Sequence, residues 1–178
     1  MGLADQMNSI FMIVEDNLKV LQRKLHEYVL SYCKEMYCVN DNDMRLEKGL
    51  GGKPYVSIGN QVARLNFNIS HTSGVGVVAF SECGIGVDIE KIQEPDYRTV
   101  RRFFVEPEQR YILDVESEEI QRNRFFEIWT KKEAYLKYKG CGLAGGLKNI
   151  NVLEQRYAYQ LIEIGGSRYA MSIYNGIM

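Results

Sequence analysis

The sequence lacks the features of a membrane or secreted protein. Its longest candidate apolar run, from Ile10 to Val14, is far shorter than the roughly 20 residues of a membrane helix. The start, Met1 to Asp5, has neither the basic flank nor the long apolar stretch of a signal peptide. We therefore expect a cytoplasmic location and no membrane partner.

The sequence also lacks a surplus of basic residues and a closely spaced pair of cysteines. The chain has 22 Lys and Arg against 23 Asp and Glu, a formal net charge of -1, so it lacks the excess of positive charge typical of nucleic-acid-binding proteins. Its four cysteines, Cys33, Cys38, Cys83 and Cys141, form no C-x-x-C pair and have no histidine at zinc-ligand spacing. We expect free thiols and no nucleic-acid partner.

What is present suffices for a globular protein with one core or two small lobes, because 46% of the 178 residues are hydrophobic. No internal repeat, low-complexity tract or proline-rich linker divides the chain. Predicted strands and helices interleave without regular βαβ spacing. This pattern favours an α+β fold over a doubly wound sheet.

The first half of the chain predicts a strand at 9–14 and a helix capped by Asp16 or Asn17. The helix carries an apolar stripe of Leu18, Leu21, Leu25, Tyr28 and Tyr32. Residues 40–54 predict turns and a loop, and two strands then turn at Gly59-Asn60. The second strand, 63–70, alternates apolar and polar residues, which predicts one buried and one solvent-facing side.

The second half predicts strands at 75–80 and 85–89, then helices at 97–104, after Pro107, and at 117–139. A glycine-rich stretch ends the long helix at positions 140, 142, 145 and 146. Segments 152–164 and 169–174 predict a closing hairpin around Gly165-Gly166.

Two acids, Asp88 and Glu90, are the first candidate site. On a strand, residues two apart point to the same side about 7 Å from one another, so their carboxylates can converge on one ion. Mg²⁺ prefers such oxygen ligands and keeps positions free for substrate phosphates. The alternative is a solvated strand face that carries ordinary acids.

Glu133 is the second candidate, because it lies on the apolar stripe of the long helix, between Trp129 and Leu136. A buried acid is normally paired or bound to a cation, since removing a lone charge from water costs several kcal/mol. Lys137, one turn further on, could form an ion pair with Glu133, and such i,i+4 pairs are common on exposed helices. The flanking lysines are expected to be solvated: Lys131, Lys132 and Lys139.

A third set of residues could contact phosphate groups. Ser70 and His71 close a predicted strand, and Lys53 lies in a Gly-Gly-Lys-Pro loop. Each is weak alone, because a single histidine is more often structural than a ligand and this loop could be a plain turn.

Four motifs in one order and spacing resemble those of the 4′-phosphopantetheinyl transferases of the surfactin-synthetase-activating type. They are Gly-Lys-Pro at 52–54, Phe-Asn-Ile-Ser-His at 67–71, Gly-Val-Asp-Ile-Glu-Lys at 86–91 and Trp-Thr-Lys-Lys-Glu-Ala-x-x-Lys at 129–137. The similarity extends from about residue 18 to about 150, and the last two motifs are specific in combination.

The resemblance implies transfer of the phosphopantetheine arm of coenzyme A to a serine of an apo acyl or peptidyl carrier protein, releasing adenosine 3′,5′-bisphosphate. It implies that Asp88, Glu90 and Glu133 bind Mg²⁺, or Mn²⁺ in its place. Glu133 would also be the base for the serine. Lys137 would stabilise the leaving phosphate, and Lys53, Ser70 and His71 would hold the nucleotide's phosphates.

The resemblance further implies two similar α/β lobes that form a pseudo-dimer with coenzyme A between them, here at about 1–84 and 85–178 of a single catalytic unit. The smaller trimeric synthases generally lack an acid at the position of Glu90, so a monomer is expected. The departure is at the N-terminus, where longer family members carry a basic segment before the helix that this chain reaches by about residue 17. The alternative function is therefore a coenzyme A- or nucleotide-binding module that has lost transferase activity.

Overall fold

The computed structural model describes residues 9–49, 52–142 and 146–176. Seven strands and helices precede residue 84: β1 (Ser9–Val14), α1 (Leu18–Tyr37), β2 (Met44–Lys48), β3 (Pro54–Ile58), β4 (Gln61–Val62), β5 (Asn66–Thr72) and β6 (Val75–Ser81). They form two antiparallel sheets, β1-β6-β5 and the smaller β2-β3-β4.

Six elements follow: β7 (Gly86–Lys91), α2 (Arg98–Phe103), α3 (Glu106–Leu113), α4 (Glu118–Lys139), β8 (Ala158–Ile164) and β9 (Ser167–Tyr174). The strands form a third antiparallel sheet in the order β7-β9-β8. The prediction of an α+β fold is confirmed. The division into two similar lobes at 84/85 stays a prediction, although each sheet draws its strands from one side of that boundary.

The two long helices begin where the sequence predicts. Asn17 caps α1, its side chain accepting from the amides of Lys19 at 3.1 Å and Val20 at 3.2 Å. Ser117 caps α4, and Gly140 ends it in the left-handed conformation at φ +68°. Of the other glycines predicted at this helix end, Gly145 lies outside the described residues.

Three element predictions are wrong in their bounds. Residues 44–48, predicted as loop, form β2, because pairing with β3 supplies a partner that local sequence does not reveal. β5 begins at Asn66 instead of residue 63, and β8 at Ala158 instead of 152, where a 3₁₀ turn lies at Val152–Glu154. The α1 stripe is also displaced, since Leu18 is 53% exposed while Val29 and Cys33 join Leu21 and Leu25 in the core.

The predicted solvent-facing side of β5 is exposed at Arg64 and Asn66, but from Asn68 onwards it is buried, contrary to the prediction. Asn68 and Ser70 are 3% and 4% exposed. Alternate side chains of β5 accept hydrogen bonds from alternate backbone amides of β7, a strand of another sheet. We call these side chains the side-chain ladder: Asn68 accepts from Val87 at 3.2 Å, Ser70 from Ile89 at 3.3 Å and Thr72 from Lys91 at 3.4 Å.

Three hydrophobic clusters hold the elements together. The first fills the space under α1, the second lies between the sheets β1-β6-β5 and β7-β9-β8, and the third surrounds α4. Their buried members include Leu25 and Phe80 in the first, Val77, Ile89 and Met171 in the second, and Ile112, Ile128 and Leu136 in the third. The second cluster and the ladder together fix β7 against β5. No helix in the described part of the chain is long and apolar enough to cross a membrane.

Gly86 allows β7 to lie directly against α4. A Cβ at this position would stand 1.9 Å from the carbonyl oxygen of Ala134 and 2.6 Å from the amide nitrogen of Tyr138, both backbone atoms of the helix. We therefore expect Gly86→Ala to force β7 and α4 apart and to lower the free energy of unfolding by at least about 2 kcal/mol. Urea unfolding monitored by circular dichroism measures the loss.

Gly84→Ala is the matched control for this substitution. Its Cβ would meet the Tyr138 ring, at 2.9 Å, and a side chain can move more cheaply than a helix backbone. The loss for Gly84→Ala should therefore be the smaller of the two. Equal stability of Gly86→Ala and the wild type would contradict the close approach of β7 and α4.

Candidate active site

Asp88 is the most deeply buried acid of the predicted site, with 3% of its surface exposed. Its Oδ1 accepts from Lys137 Nζ at 2.7 Å and from Ser70 Oγ at 2.8 Å. Its Oδ2 is also buried but has no hydrogen-bond partner. The alternative of a solvated strand face is therefore wrong for Asp88, and one carboxylate oxygen is left without a partner in the interior.

Glu90, two residues further along β7, lies beside Asp88 and is partly buried. Thr72 Oγ1 donates to its Oε2 at 3.1 Å, and the Trp129 side chain hydrogen-bonds the same carboxyl group. Burial, and next to it the charge of Asp88, raises the pKa of Glu90 above its ordinary value, although these hydrogen bonds oppose the shift.

Glu133 approaches the two strand acids from α4. Burial, and after it the charges of Asp88 and Glu90, raise the pKa of Glu133 to about 7 against the opposing charge of Lys137. A carboxyl group with this pKa is about half ionised at neutral pH. The three acids therefore share one region in which Lys137 is the neighbouring cation that acts on both Glu90 and Glu133.

These residues fit a divalent cation. Asp88 Oδ2 has no partner, and burial first, then the charge of Asp88, raise the pKa values of Glu90 and Glu133; a bound cation would offset both effects. Carboxylate oxygens are the ligands that Mg²⁺ and Mn²⁺ prefer. No ready-made group of three or more His, Cys, Asp or Glu side chains in metal-binding arrangement exists among residues 9–49, 52–142 and 146–176. The Lys137 ammonium lies beside Asp88 Oδ1, so binding a metal would require it to share or leave that place.

Ser70 belongs to the same cluster as Asp88 and Lys137. Its Oγ accepts from Lys137 Nζ at 2.7 Å and from the Ile89 amide, and it donates to Asp88. The hydroxyl is thus fully used within the protein. Its predicted contact with a nucleotide phosphate stays a prediction.

Lys53 and His71 lie in different places around Lys137. Lys53 Nζ donates to the carbonyl oxygen of Tyr138 at 3.4 Å. Lys53 and Lys137 both line a cavity of about 150 Å³. Burial lowers the pKa of Lys53. The exposed His71 ring instead contacts Gln22 at 3.1 Å. Loss of hydration and then the charge of Lys137 lower the pKa of His71.

A cavity of about 720 Å³ opens beside His71. His71 and Thr72 line it from the first half of the chain, and Lys91 and Tyr169 from the second. It is therefore a cleft between elements on either side of the predicted lobe boundary, as a substrate bound between lobes would require.

Two contacts of the site were not foreseen from the sequence. Thr72 and Trp129 both bind Glu90, although their residue types suggest ordinary packing. Thr72 could have been found, because it follows Ser70 by two positions on β5 just as Glu90 follows Asp88 on β7.

The prediction that Lys132 is solvated is wrong. Its side chain is fully buried and pairs with the equally buried Glu108 at 2.8 Å. Its neighbour Lys131 is also largely buried and pairs with Glu127 at 2.6 Å, whereas Lys139 is exposed as predicted. Glu108 lies on α3, so local sequence gave no reason to place it beside Lys132, whereas Glu127 precedes Lys131 by four residues on α4, a spacing at which helical side chains are neighbours.

Comparison with known proteins agrees with these motifs. The sequence model of the 4′-phosphopantetheinyl transferase superfamily matches residues 84–175, which include β7 and α4. Among similar proteins, the 4′-phosphopantetheinyl transferase gsp of Aneurinibacillus migulanus is 35% identical over 130 residues, 71% of this chain and 52% of that protein. The 4′-phosphopantetheinyl transferase Sfp of Bacillus subtilis (strain 168) is 31% identical over 124 residues, 70% of this chain and 54% of Sfp.

The similarity extends to a third bacterial protein, the 4′-phosphopantetheinyl transferase psf-1 of Bacillus pumilus, which is 34% identical over 65% of this chain and 48% of psf-1. The chain thus spans about half the length of the curated relatives it matches. The matching region contains the three acids and Lys137 in the order and spacing described above. The chain therefore belongs to the 4′-phosphopantetheinyl transferase superfamily.

Proposed function

We propose that this protein transfers the 4′-phosphopantetheine group of coenzyme A to a serine of an apo acyl or peptidyl carrier protein, with Mg²⁺, and releases adenosine 3′,5′-bisphosphate. The observation that carries the proposal is the group of buried Asp88 and partly buried Glu90 and Glu133 beside Lys137, with one Asp88 oxygen unpartnered. Similar proteins named as 4′-phosphopantetheinyl transferases support the choice of reaction.

In this proposal Glu133 accepts the proton of the carrier serine. The serine oxygen then forms a bond to the phosphorus that carries pantetheine, and the bond from that phosphorus to the oxygen of the nucleotide phosphate breaks. A base works best when its pKa is near the working pH, and in the metal-free protein the pKa of Glu133 is raised to about 7. A bound cation would lower this pKa and keep Glu133 ionised at neutral pH, in the form that accepts a proton.

Lys137 is proposed to interact with the leaving phosphate. Its ammonium lies 2.7 Å from Asp88 Oδ1, one turn of α4 away from Glu133. From there it can stabilise, or donate a proton to, the oxygen that leaves as adenosine 3′,5′-bisphosphate. Asp88, Glu90 and Glu133 would hold the divalent cation, which when bound neutralises charge on the pyrophosphate.

The nucleotide's phosphates are proposed to contact Lys53 and His71, and also Ser70, whose proton would have to turn from Asp88 to a phosphate oxygen. Lys53 and Lys137 border one cavity, and His71 borders the larger cleft that also holds Lys91. A pyrophosphate near Lys137 could therefore meet cationic or hydrogen-bonding groups on two sides. A monomeric, cytoplasmic enzyme is part of the same proposal.

The proposal is tested by incubating the protein with coenzyme A, Mg²⁺ and a panel of apo carrier proteins from fatty acid, polyketide and peptide assembly. We expect at least one carrier to gain the mass of one phosphopantetheine group in intact-protein mass spectrometry. Removal of divalent cations with EDTA should abolish the gain, and added Mg²⁺ or Mn²⁺ should restore it. No mass gain on any carrier would reject the transferase proposal.

Calorimetry with coenzyme A separates the two candidate functions. Binding of coenzyme A without modification of any carrier would favour the alternative, a binding module that has lost transfer. The observation behind this alternative is that the Lys137 ammonium occupies Asp88 Oδ1, a place that a bound cation would need.

A further inference from the structure

The side-chain ladder between β5 and β7 does more than join two sheets. Ser70 accepts from the Ile89 amide and donates to Asp88, and Thr72 accepts from the Lys91 amide and donates to Glu90. Each hydroxyl therefore connects a backbone amide of β7 with the acid that precedes it. The two strand acids are aligned by side chains from the other half of the chain.

Thr72 fixes the direction of its bond to Glu90. A hydroxyl has a single proton, and the Lys91 amide already donates to Thr72 Oγ1 at 3.4 Å. The proton of Thr72 is thus free to be donated to Glu90 Oε2, at 3.1 Å. Trp129, on α4, hydrogen-bonds the same carboxyl group, so Glu90 is held from a strand and from a helix.

We infer that Thr72 is a positioning residue for Glu90, which it holds in the orientation required to bind the divalent cation. The inference rests on the proposed function, because it assumes that Glu90 is a metal ligand. Groups that hydrogen-bond a metal-binding carboxylate reduce its rotational freedom before the metal arrives, and removing such a group typically weakens metal binding about 10–100-fold. Ser70 stands in the same relation to Asp88.

Asn68 provides the matched comparison within the ladder. It is as buried as Ser70 and accepts from the Val87 amide at 3.2 Å, but it hydrogen-bonds neither Asp88 nor Glu90. A substitution at Asn68 therefore removes a ladder contact without removing a contact to an acid. Thr72 and Asn68 should differ in metal binding even where they contribute similarly to stability.

The experiment measures Mn²⁺ affinity by electron paramagnetic resonance on the free protein, without coenzyme A or carrier. Thr72→Val keeps the side chain's shape but removes its hydroxyl, and we expect Mn²⁺ binding about tenfold weaker than in the wild type. Thr72→Ser, which restores the hydroxyl, should recover most of the affinity. Asn68→Ala should lower the thermal unfolding midpoint but leave Mn²⁺ affinity near the wild-type value.

Three results would overturn the inference: Mn²⁺ affinity unchanged in Thr72→Val, equal weakening in Asn68→Ala, or no Mn²⁺ binding by the wild type. The carrier-modification assay on the same preparations decides the proposed function separately. Transfer by the wild type together with unchanged Mn²⁺ affinity in Thr72→Val would reject the positioning role and leave the transferase proposal standing.

Discussion

Glu133→Gln should reduce phosphopantetheine transfer by about a thousandfold while the protein stays folded. The amide has nearly the shape of the carboxylate, but it cannot accept a proton at neutral pH and is a poor ligand for Mg²⁺. Loss of a general base alone typically costs about 10²–10⁴-fold in rate. The rate of carrier modification under saturating coenzyme A and Mg²⁺, followed by mass spectrometry, gives the measurement.

The same substitution should change how the metal-free protein responds to pH. The pKa of Glu133 is raised from 4.5 in the unfolded chain to about 7 in the fold, so the folded protein holds this proton more tightly. The contribution of Glu133 to wild-type stability should therefore fall as pH rises from about 4.5 through 7, because the unfolded chain releases the proton first. Burial is the largest cause of this shift, and Asp88, Lys137 and Glu90 act on Glu133 by their charges; Glu133→Gln should remove its contribution.

Glu119→Gln is the control for both measurements. Glu119 lies in the first turn of the same helix and pairs on the surface with Arg168, so the same chemical change is made away from the acids. Its transfer rate should equal that of the wild type. Transfer at the wild-type rate by Glu133→Gln would show that another group accepts the serine proton.

The elements that carry the acids could be predicted from local sequence. Alternation placed Asp88 and Glu90 on one side of β7, and helical phase placed Glu133 and Lys137 one turn apart on α4. Both are periodic signals that a single segment contains. The sequence of a single segment does not show which side chains it will contact. The burial of Asp88 against Ser70 therefore could not be predicted, because it depends on how β5 packs beside β7.

The polar side of β5 shows why the remainder was missed. Alternating Asn68, Ser70 and Thr72 indicate a solvated strand side when the strand is considered alone. In the structure all three accept hydrogen bonds from backbone amides of β7, and Ser70 and Thr72 also donate to Asp88 and Glu90. The alternation correctly predicted a strand, but packing against β7 buried side chains that local sequence predicted to be solvated.

Lys132→Met should lower the free energy of unfolding by about 3–5 kcal/mol, the cost of removing one partner from a buried ion pair. Lys132 and Glu108 have fully buried side chains, 2.8 Å apart, and burial lowers the pKa of Lys132 while Glu108 opposes the shift. Lys132 Nζ also donates to the carbonyl oxygens of Leu147 at 2.7 Å and Ile150 at 2.6 Å. Methionine would fill the space but leave Glu108 and both carbonyls without this donor, which urea unfolding would detect.

Lys139→Met provides the control, because Lys139 is exposed in the last turn of the same helix and its loss should cost less than about 1 kcal/mol. Glu108→Leu combined with Lys132→Met should lose less stability than the two single substitutions added together, since the double variant buries no unpaired charge. Additive losses would contradict the pairing.

Glu108 also accepts from the amides of Val105 at 3.0 Å and Val152 at 2.9 Å. The pair therefore ties α4 to the start of α3 and to the segment after α4.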